Sequence, residues 1–327
     1  MELFDSLKFK IVRRGIKIAF PEASDTRILS AVARLRGEEL IEPVLIGKRK
    51  EVEEAASTRG INISNMTIYD PDDCKRWEQI VEAFLERRKG KATREQAEEI
   101  LKDENYFGTM LTYMGITDGL VSGAIHATSD TVRPALQIIK TKPGVSRTSG
   151  AFLMMRGNEQ EKYLFSDCAI NIAPEPKELA EIAVESAKTA EMFDIDPRVA
   201  MLSFSTKGSA HGPQSEATIE ATKAAQELAP ELSIDGELQF DSAYIQTVAQ
   251  LKAPESGVAG KANVFVFPDL QSGNIGYKIA QRLGNFEAIG PILQGLNKPV
   301  SDLSRGCNEE DVYKLSIITA AQSVMNE

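Results

Sequence analysis

Short apolar runs alternate with helix-patterned stretches along most of this 327-residue chain. IKIAF (16–20), EPVLIG (42–47), MTIYD (66–70) and DGLVSG (118–123) read as strands. Each is too short for a helix and ends in turn residues or Pro71. Between them lie helical patterns. One runs from Ser24 or Asp25 to about Leu35, and a charged one follows Gly47. A third, over about 73–89, puts Trp77, Ile80, Val81, Phe84 and Leu85 on one stripe. T-R-E-Q at 93–96 has the capping-box pattern, and a further helix is expected from about Asp130 to Ile139. Strands that alternate with helices predict parallel α/β units, because a parallel pair needs a crossover long enough to hold a helix.

The pattern changes once. TKPGVSRTSG (141–150) reads as a linker, and AFLMMR (151–156) and KYLFSDCAI (162–170) follow with no helix between them, which predicts an antiparallel excursion. Alternation then resumes: helix about 176–192, strand 198–204, helix about 215–228, a short strand near Ile234, helix about 241–250, strand NVFVF (263–267), helix about 273–283. FEAIGPIL (286–293) leads to a terminal helix over about 309–325. A chain of this length exceeds one small core. The expectation is two α/β domains with mostly parallel sheets, one formed by 1–145 plus 293–327 and the other by 146–292. The returning terminal helix would bring residues 298–311 to a cleft between them.

Charge and composition narrow the function. The net charge of −10 disfavours a general nucleic-acid or anionic-membrane surface. No apolar run approaches the ~18–20 residues of a membrane span, and MELFDSLKFK lacks a signal-peptide core. Three widely spaced cysteines suit neither a disulfide framework nor a zinc site, and point to a reducing cytoplasm. Two histidines make a His-based metal site a poor reading, so no metal is expected. No G-x-G occurs, GVAGKA (257–262) lacks the spacing and the Ser/Thr of a phosphate loop, and no two aspartates stand four residues apart. Dinucleotide and metal-dependent decarboxylating chemistry therefore lack their motifs.

Three loops have the composition of anion sites. SGAIHATSDTVRPAL (122–136) follows a strand and opens a helix; its glycine turn, at Gly123, exposes backbone N–H groups, with Ser122, Thr128 and Ser129 as hydroxyl donors. SFSTKGSAHGP (203–213) and PDLQSGNIGYK (268–278) repeat the design, the latter with Ser272, Gly273 and Gly276 at a helix start. Any one of these reads equally well as an ordinary capped turn. KPVSDLSRGCNEEDVYKLSIITAAQ (298–322) gathers Ser304, Arg305, Cys307 and Asp311 just before a helix. It reads as a helix start capped by Asn308 with an acidic first turn, or as a site that offers a donor, a cation and an acid together.

The long motifs at 122–144, 203–213, 235–244, 267–284 and 290–307 together resemble phosphate acetyltransferase (phosphotransacetylase), in its short, single-function bacterial form. The resemblance spans nearly the whole chain. It implies reversible acetyl transfer, acetyl-CoA plus phosphate giving CoA plus acetyl phosphate, by direct attack in a ternary complex. It implies two α/β domains around a cleft, similar to isocitrate and isopropylmalate dehydrogenases, and a homodimer. Coenzyme A enters as substrate, with no tightly bound cofactor. The family's catalytic set falls on Ser304, Arg305 and Asp311, and its CoA-contacting arginines on Arg133 and Arg87, with Arg88 adjacent. Asn297 and Lys298, just before the motif, complete the candidate substrate-binding residues with those named above. A butyryl- or propionyl-preferring relative and a non-catalytic acetyl-CoA sensing domain are the competing readings.

Overall fold

The computed structural model describes residues 3–157 and 160–325. In chain order the strands are β1 (Lys17–Phe20), β2 (Glu42–Ile46), β3 (Thr67–Tyr69), β4 (Gly119–Ser122), β5 (Ser149–Arg156), β6 (Glu161–Ser166), β7 (Arg198–Leu202), β8 (Ser233–Leu238), β9 (Val264–Val266), β10 (Glu287–Gln294) and β11 (Val300–Asp302). The chain divides into two compact units, one running to Lys142 and resuming at Leu296, the other spanning Pro143–Gly295.

The first unit orders its strands β3-β2-β1-β4-β11, every neighbouring pair parallel. Helices Leu3–Ile11 and Thr26–Gly37 each pack on helix Glu309–Met325, which also lies on β1, β4 and β11. Arg34 fixes the start of that terminal helix. Its guanidinium lies 3.6 Å from the Tyr313 ring centroid and donates to Glu310 at 2.6 Å. Helix Glu104–Tyr113 was not visible as a helical stripe. Phe107, Met110 and Leu111 are buried, and Asn105, Thr109 and Thr112 with them, so the helix has no polar face to reveal its period. Gly108 lets it approach the sheet: a Cβ there would stand 2.8 Å from Ile46 Cδ1.

The expected helix over 130–139 is an α-helical segment, Thr128–Pro134, that widens into a π turn, Ala135–Ile139. Pro134 lacks an N–H and its ring crowds the preceding turn, which is the usual cause of such a widening. The capping box at Thr93 and Gln96 forms as the sequence predicts.

The second unit orders its strands β10-β5-β6-β9-β7-β8. The antiparallel excursion is there: β5 pairs antiparallel with both β10 and β6, while β6, β9, β7 and β8 run parallel. Phe152, Phe165, Phe265 and Phe267 fill its core, and Tyr277 stacks on Phe152 at 4.1 Å between centroids. The helix expected over 241–250 is two, Phe240–Tyr244 and Gln246–Lys252, separated by extended Ile245.

Candidate active site

The motif loop begins where β11 ends. Asp302 is buried at the strand's last position, in register with Ser122 of β4. Ser304, Arg305 and Gly306 then emerge as an exposed turn. Ser304 Oγ accepts the Gly306 N–H at 3.2 Å, which leaves the hydroxyl hydrogen to donate elsewhere. Asn308 Oδ1 accepts from Asp311 N at 3.0 Å, and Asp311 Oδ2 accepts from Asn308 N at 2.9 Å. This reciprocal pair caps the terminal helix and leaves the Asp311 carboxylate exposed at its start.

Arg27, on the first turn of helix Thr26–Gly37, ties this loop down. Asp25 holds its guanidinium through both carboxylate oxygens, at 3.0 and 2.8 Å. The guanidinium then donates to the carbonyls of Arg305 and Cys307, each at 3.0 Å, and to that of Ala124 at 2.8 Å. One side chain thus crosslinks the motif loop to the loop after β4. Cys307 is buried beneath, and burial pushes its thiol up despite Arg27 nearby, which counts against a thiolate nucleophile.

The loop after β4 is not an open anion site. Glu22, fully buried, puts one carboxylate oxygen on the N–H groups of Gly123 and Ala124 at 3.0 and 2.8 Å, and the other on those of Ile125 and His126 at 3.0 Å each. His126 Nδ1 lies 2.6 Å from the same carboxylate. Glu22 holds this position in the left-handed region, φ +65°, which a non-glycine residue rarely adopts. Ser122 and Gly123, expected as donors to a ligand, already have partners within the chain. The Ser122 hydroxyl, buried, donates to Asn105 Oδ1 at 2.6 Å. The Gly123 N–H is taken by Glu22, and glycine is required there for space: with φ +110°, a Cβ would lie 2.6 Å from Asp302 Oδ1 and from the Leu303 carbonyl.

The other two loops also have internal partners, a distant glutamate in one and a local helix cap in the other. In the 203–213 loop, buried Glu237 accepts from Ser205 Oγ at 2.9 Å and Gly208 N at 2.7 Å. In the 268–278 loop, Ser272 N donates to Asp269 and Ser272 Oγ to the Asp269 carbonyl. Gly273 is a packing glycine, since a Cβ would stand 2.2 Å from the Asp167 carbonyl. Both belong to the second unit.

Of the remaining candidates, Thr128 and Arg133 are exposed on helix Thr128–Pro134, Asn297 is exposed, and Lys298 is half-buried. Arg133 makes no hydrogen bond or ion pair among the described residues. Arg87 is engaged: Nε donates to the Ile138 carbonyl at 2.5 Å and Nη2 to that of Ile139 at 3.0 Å, which caps the π turn. Arg87, Lys89, Lys91 and Arg88 together hold the Lys140 ammonium below its usual range, which marks a basic patch on an acidic chain. Among the described residues no cluster of three or more His, Cys, Asp or Glu side chains is arranged to hold a metal ion.

The family described as Phosphate acetyl/butaryl transferase matches residues 3–320. The chain belongs to that family. It is 61% identical to the phosphate acetyltransferase of Bacillus subtilis (strain 168) over 323 residues, 99% of each chain. It superposes on a phosphotransacetylase from Streptococcus pyogenes with TM-score 0.97 and 60% identity, covering 99% of this chain and 98% of that one. The EutD phosphotransacetylase from Staphylococcus aureus gives TM-score 0.93 at 55% identity, over 98% of each.

Around the motif loop, sequence reading missed Glu22, Arg27, His126 and Asp302. Asp302 Oδ1 has no hydrogen-bond partner among the described residues. Desolvation pushes its carboxyl up to about 6, with a hydrogen bond from Thr128 pulling the other way and the Glu22 charge adding to the rise. An acid two residues before the motif serine was the one signal for it. Glu22 and Arg27 carry no such mark, because their partners lie about a hundred residues or more away in sequence.

Proposed function

We propose that the chain catalyses reversible acetyl transfer between coenzyme A and inorganic phosphate, by direct attack in a ternary complex. The observation that carries this reading is the full-length likeness to phosphate acetyltransferases in a chain that keeps Ser304, Arg305 and Asp311 together on one capped loop. Arg305 binds the phosphoryl group; its planar fork suits two oxygens at once and stays charged. Ser304 donates its hydroxyl hydrogen to the oxygen that gains charge when the carbonyl is attacked. Asp311 accepts the thiol proton. A free thiol titrates near 8.5 and a free aspartate near 3.9, so complete transfer ahead of attack costs roughly 6 kcal/mol. Asp311 is exposed in the free chain, within reach of a bound thiol. Proton loss concerted with attack, with Arg305 close to the forming thiolate, avoids the full cost.

Arg133 meets a CoA phosphate, since it is exposed and makes no hydrogen bond or ion pair among the described residues. The basic patch around Lys140 supplies the local field that the net charge of −10 opposes. Arg87 acts indirectly by holding the 138–140 turn. Three free cysteines support a reducing, cytoplasmic setting. No helix among the described residues is long and apolar enough to cross a membrane. A homodimer is supported by an exposed apolar stripe, Ile275, Ile279 and Leu283, on helix Leu270–Leu283.

The deciding experiment measures acyl phosphate formation from phosphate with acetyl-, propionyl- and butyryl-CoA. Acetyl-CoA is expected to give the highest kcat/KM. Preference for butyryl-CoA would move the substrate to the other half of the family's name, a change that ~1–3 kcal/mol per methylene makes affordable. Inactivity with all three would leave only a sensing role. Trapping labelled acetyl on the protein would overturn direct attack.

A further inference from the structure

The proposed chemistry moves two protons, and the motif residues account for one. When CoA attacks acetyl phosphate, the sulfur–carbon bond forms and the carbon–oxygen bond to phosphate breaks. The thiol proton goes to Asp311. The departing phosphate takes the bond's electron pair and would leave as a trianion unless a proton reaches its bridging oxygen. In the reverse direction, hydrogen phosphate must give up that proton as its oxygen attacks the acetyl carbonyl.

His126 stands on the loop that Arg27 joins to Arg305 and Cys307. Its ring is partly exposed, and its Nδ1 is 2.6 Å from Glu22, a wholly buried carboxylate. Glu22 already accepts four backbone N–H groups, so it meets the ring as an acceptor and Nδ1 carries the hydrogen. In the neutral ring, Nε2 is then the open base. In the protonated ring, the carboxylate steadies the positive charge and Nε2–H is an acid. This is the orienting logic of a carboxylate–histidine pair. The charges that act on the ring are Glu22 after β1 and Glu104 on helix Glu104–Tyr113, while Arg27 on helix Thr26–Gly37 and Asp130 on helix Thr128–Pro134 bind the neighbouring Ala124 carbonyl and Ala127 N–H.

We propose that His126, held in one tautomer by Glu22, is the proton carrier for the phosphate half of the reaction. His126 Nε2 protonates the bridging oxygen as phosphate leaves and takes the proton back when phosphate attacks. Solvent carries the proton from Asp311 to His126 between turnovers, so the cycle balances. The inference rests on the acetyl-transfer reading above.

His126→Asn tests it, because an asparagine amide can keep the donor to Glu22 while removing the ε nitrogen. We expect a loss in kcat of about 10²-fold or more with KM for CoA little changed. We also expect the limb of the kcat–pH profile that belongs to the histidine to disappear. A kcat within threefold of wild type, with superimposable pH profiles, would overturn the proposal. Asp311→Asn, measured alongside, separates the two readings: loss there with no loss in His126→Asn sinks only the histidine role, and no loss in either sinks the site. Should His126→Asn fail to fold, nitrogen NMR on the wild type decides the matter. The chain has only two histidines, and a neutral His126 carrying its hydrogen on Nε2 would refute the tautomer the role requires.

Discussion

Asp311 serves the helix and the proposed reaction through one carboxylate. It caps the terminal helix through Asn308 and stays exposed for proton transfer. The two uses separate in Asp311→Asn, since an amide oxygen still accepts the Asn308 N–H. We expect kcat to fall by ~10²-fold or more while KM and the melting temperature barely move; steady-state kinetics with a thermal melt checks both. Asp302 behaves in the opposite sense to most carboxylates. Its folded-state value, about 6, lies above its ordinary 3.8. The folded chain therefore binds the proton more tightly than the unfolded chain between those values. Stability from this group is fully present below the ordinary value and is lost as pH rises through about 6. Asp302→Asn should then be the more stable form at pH 8, by an amount on the order of 1–3 kcal/mol, and the difference should shrink toward pH 5. Urea midpoints at the two pH values read it directly, and an equal or larger gap at pH 5 would contradict it.

At the scale of elements, the π turn at Ala135–Ile139 links two arginines that the sequence treats alike. Arg87 ends that turn through two carbonyls, whereas Arg133 stands one residue before Pro134 and makes no hydrogen bond or ion pair among the described residues. Arg87→Ala should cost about 1–3 kcal/mol of stability, the range for hydrogen bonds from a charged donor, and raise KM for CoA as a consequence. Arg133→Ala should raise KM for CoA with a melting temperature near wild type. Melts and CoA titrations of the pair test this, and equal stability losses would remove the distinction. Strands and amphipathic helices were legible because their periods differ. Helix Glu104–Tyr113 was not, because burial on all sides erases the period. β11 was not, because V-S-D offers a single apolar residue and no apolar run to read. The anion loops misled for a different reason. Glycine and hydroxyl residues after a strand do signal a cluster of N–H groups that wants a negative charge. They do not say whether a ligand or a distant glutamate supplies it.

Over the whole molecule, Ile275, Ile279 and Leu283 recur every four residues on helix Leu270–Leu283 and remain 56%, 53% and 81% exposed. In the same unit an apolar cavity of ≈ 580 Å³ lies beside Ile279 and Leu283, walled by Tyr163, Phe165, Phe240, Tyr244 and Phe286. Contiguous exposed apolar surface marks an interaction site, and a second copy of this chain is the occupant proposed above. Ile279→Asp should shift a wild-type dimer toward monomer in sedimentation experiments at micromolar concentration. A wild-type monomer at that concentration would withdraw the dimer. The candidates Ser304, Arg305 and Asp311 come from a long, contiguous motif. The residues that hold them were not legible in the sequence, since Arg27 and Glu22 act only once the fold has brought remote segments together.

Glu22 has one consequence for the chemistry of small ions. The four N–H groups that clasp it form a receptor shaped for a carboxylate, and its guest is covalently tethered. Cutting the tether with Glu22→Ala would leave a vacancy matched to formate or acetate, and acetate shares its acyl group with the proposed substrates. The tether keeps a carboxylate receptor in this acidic chain permanently out of competition with the metabolites around it.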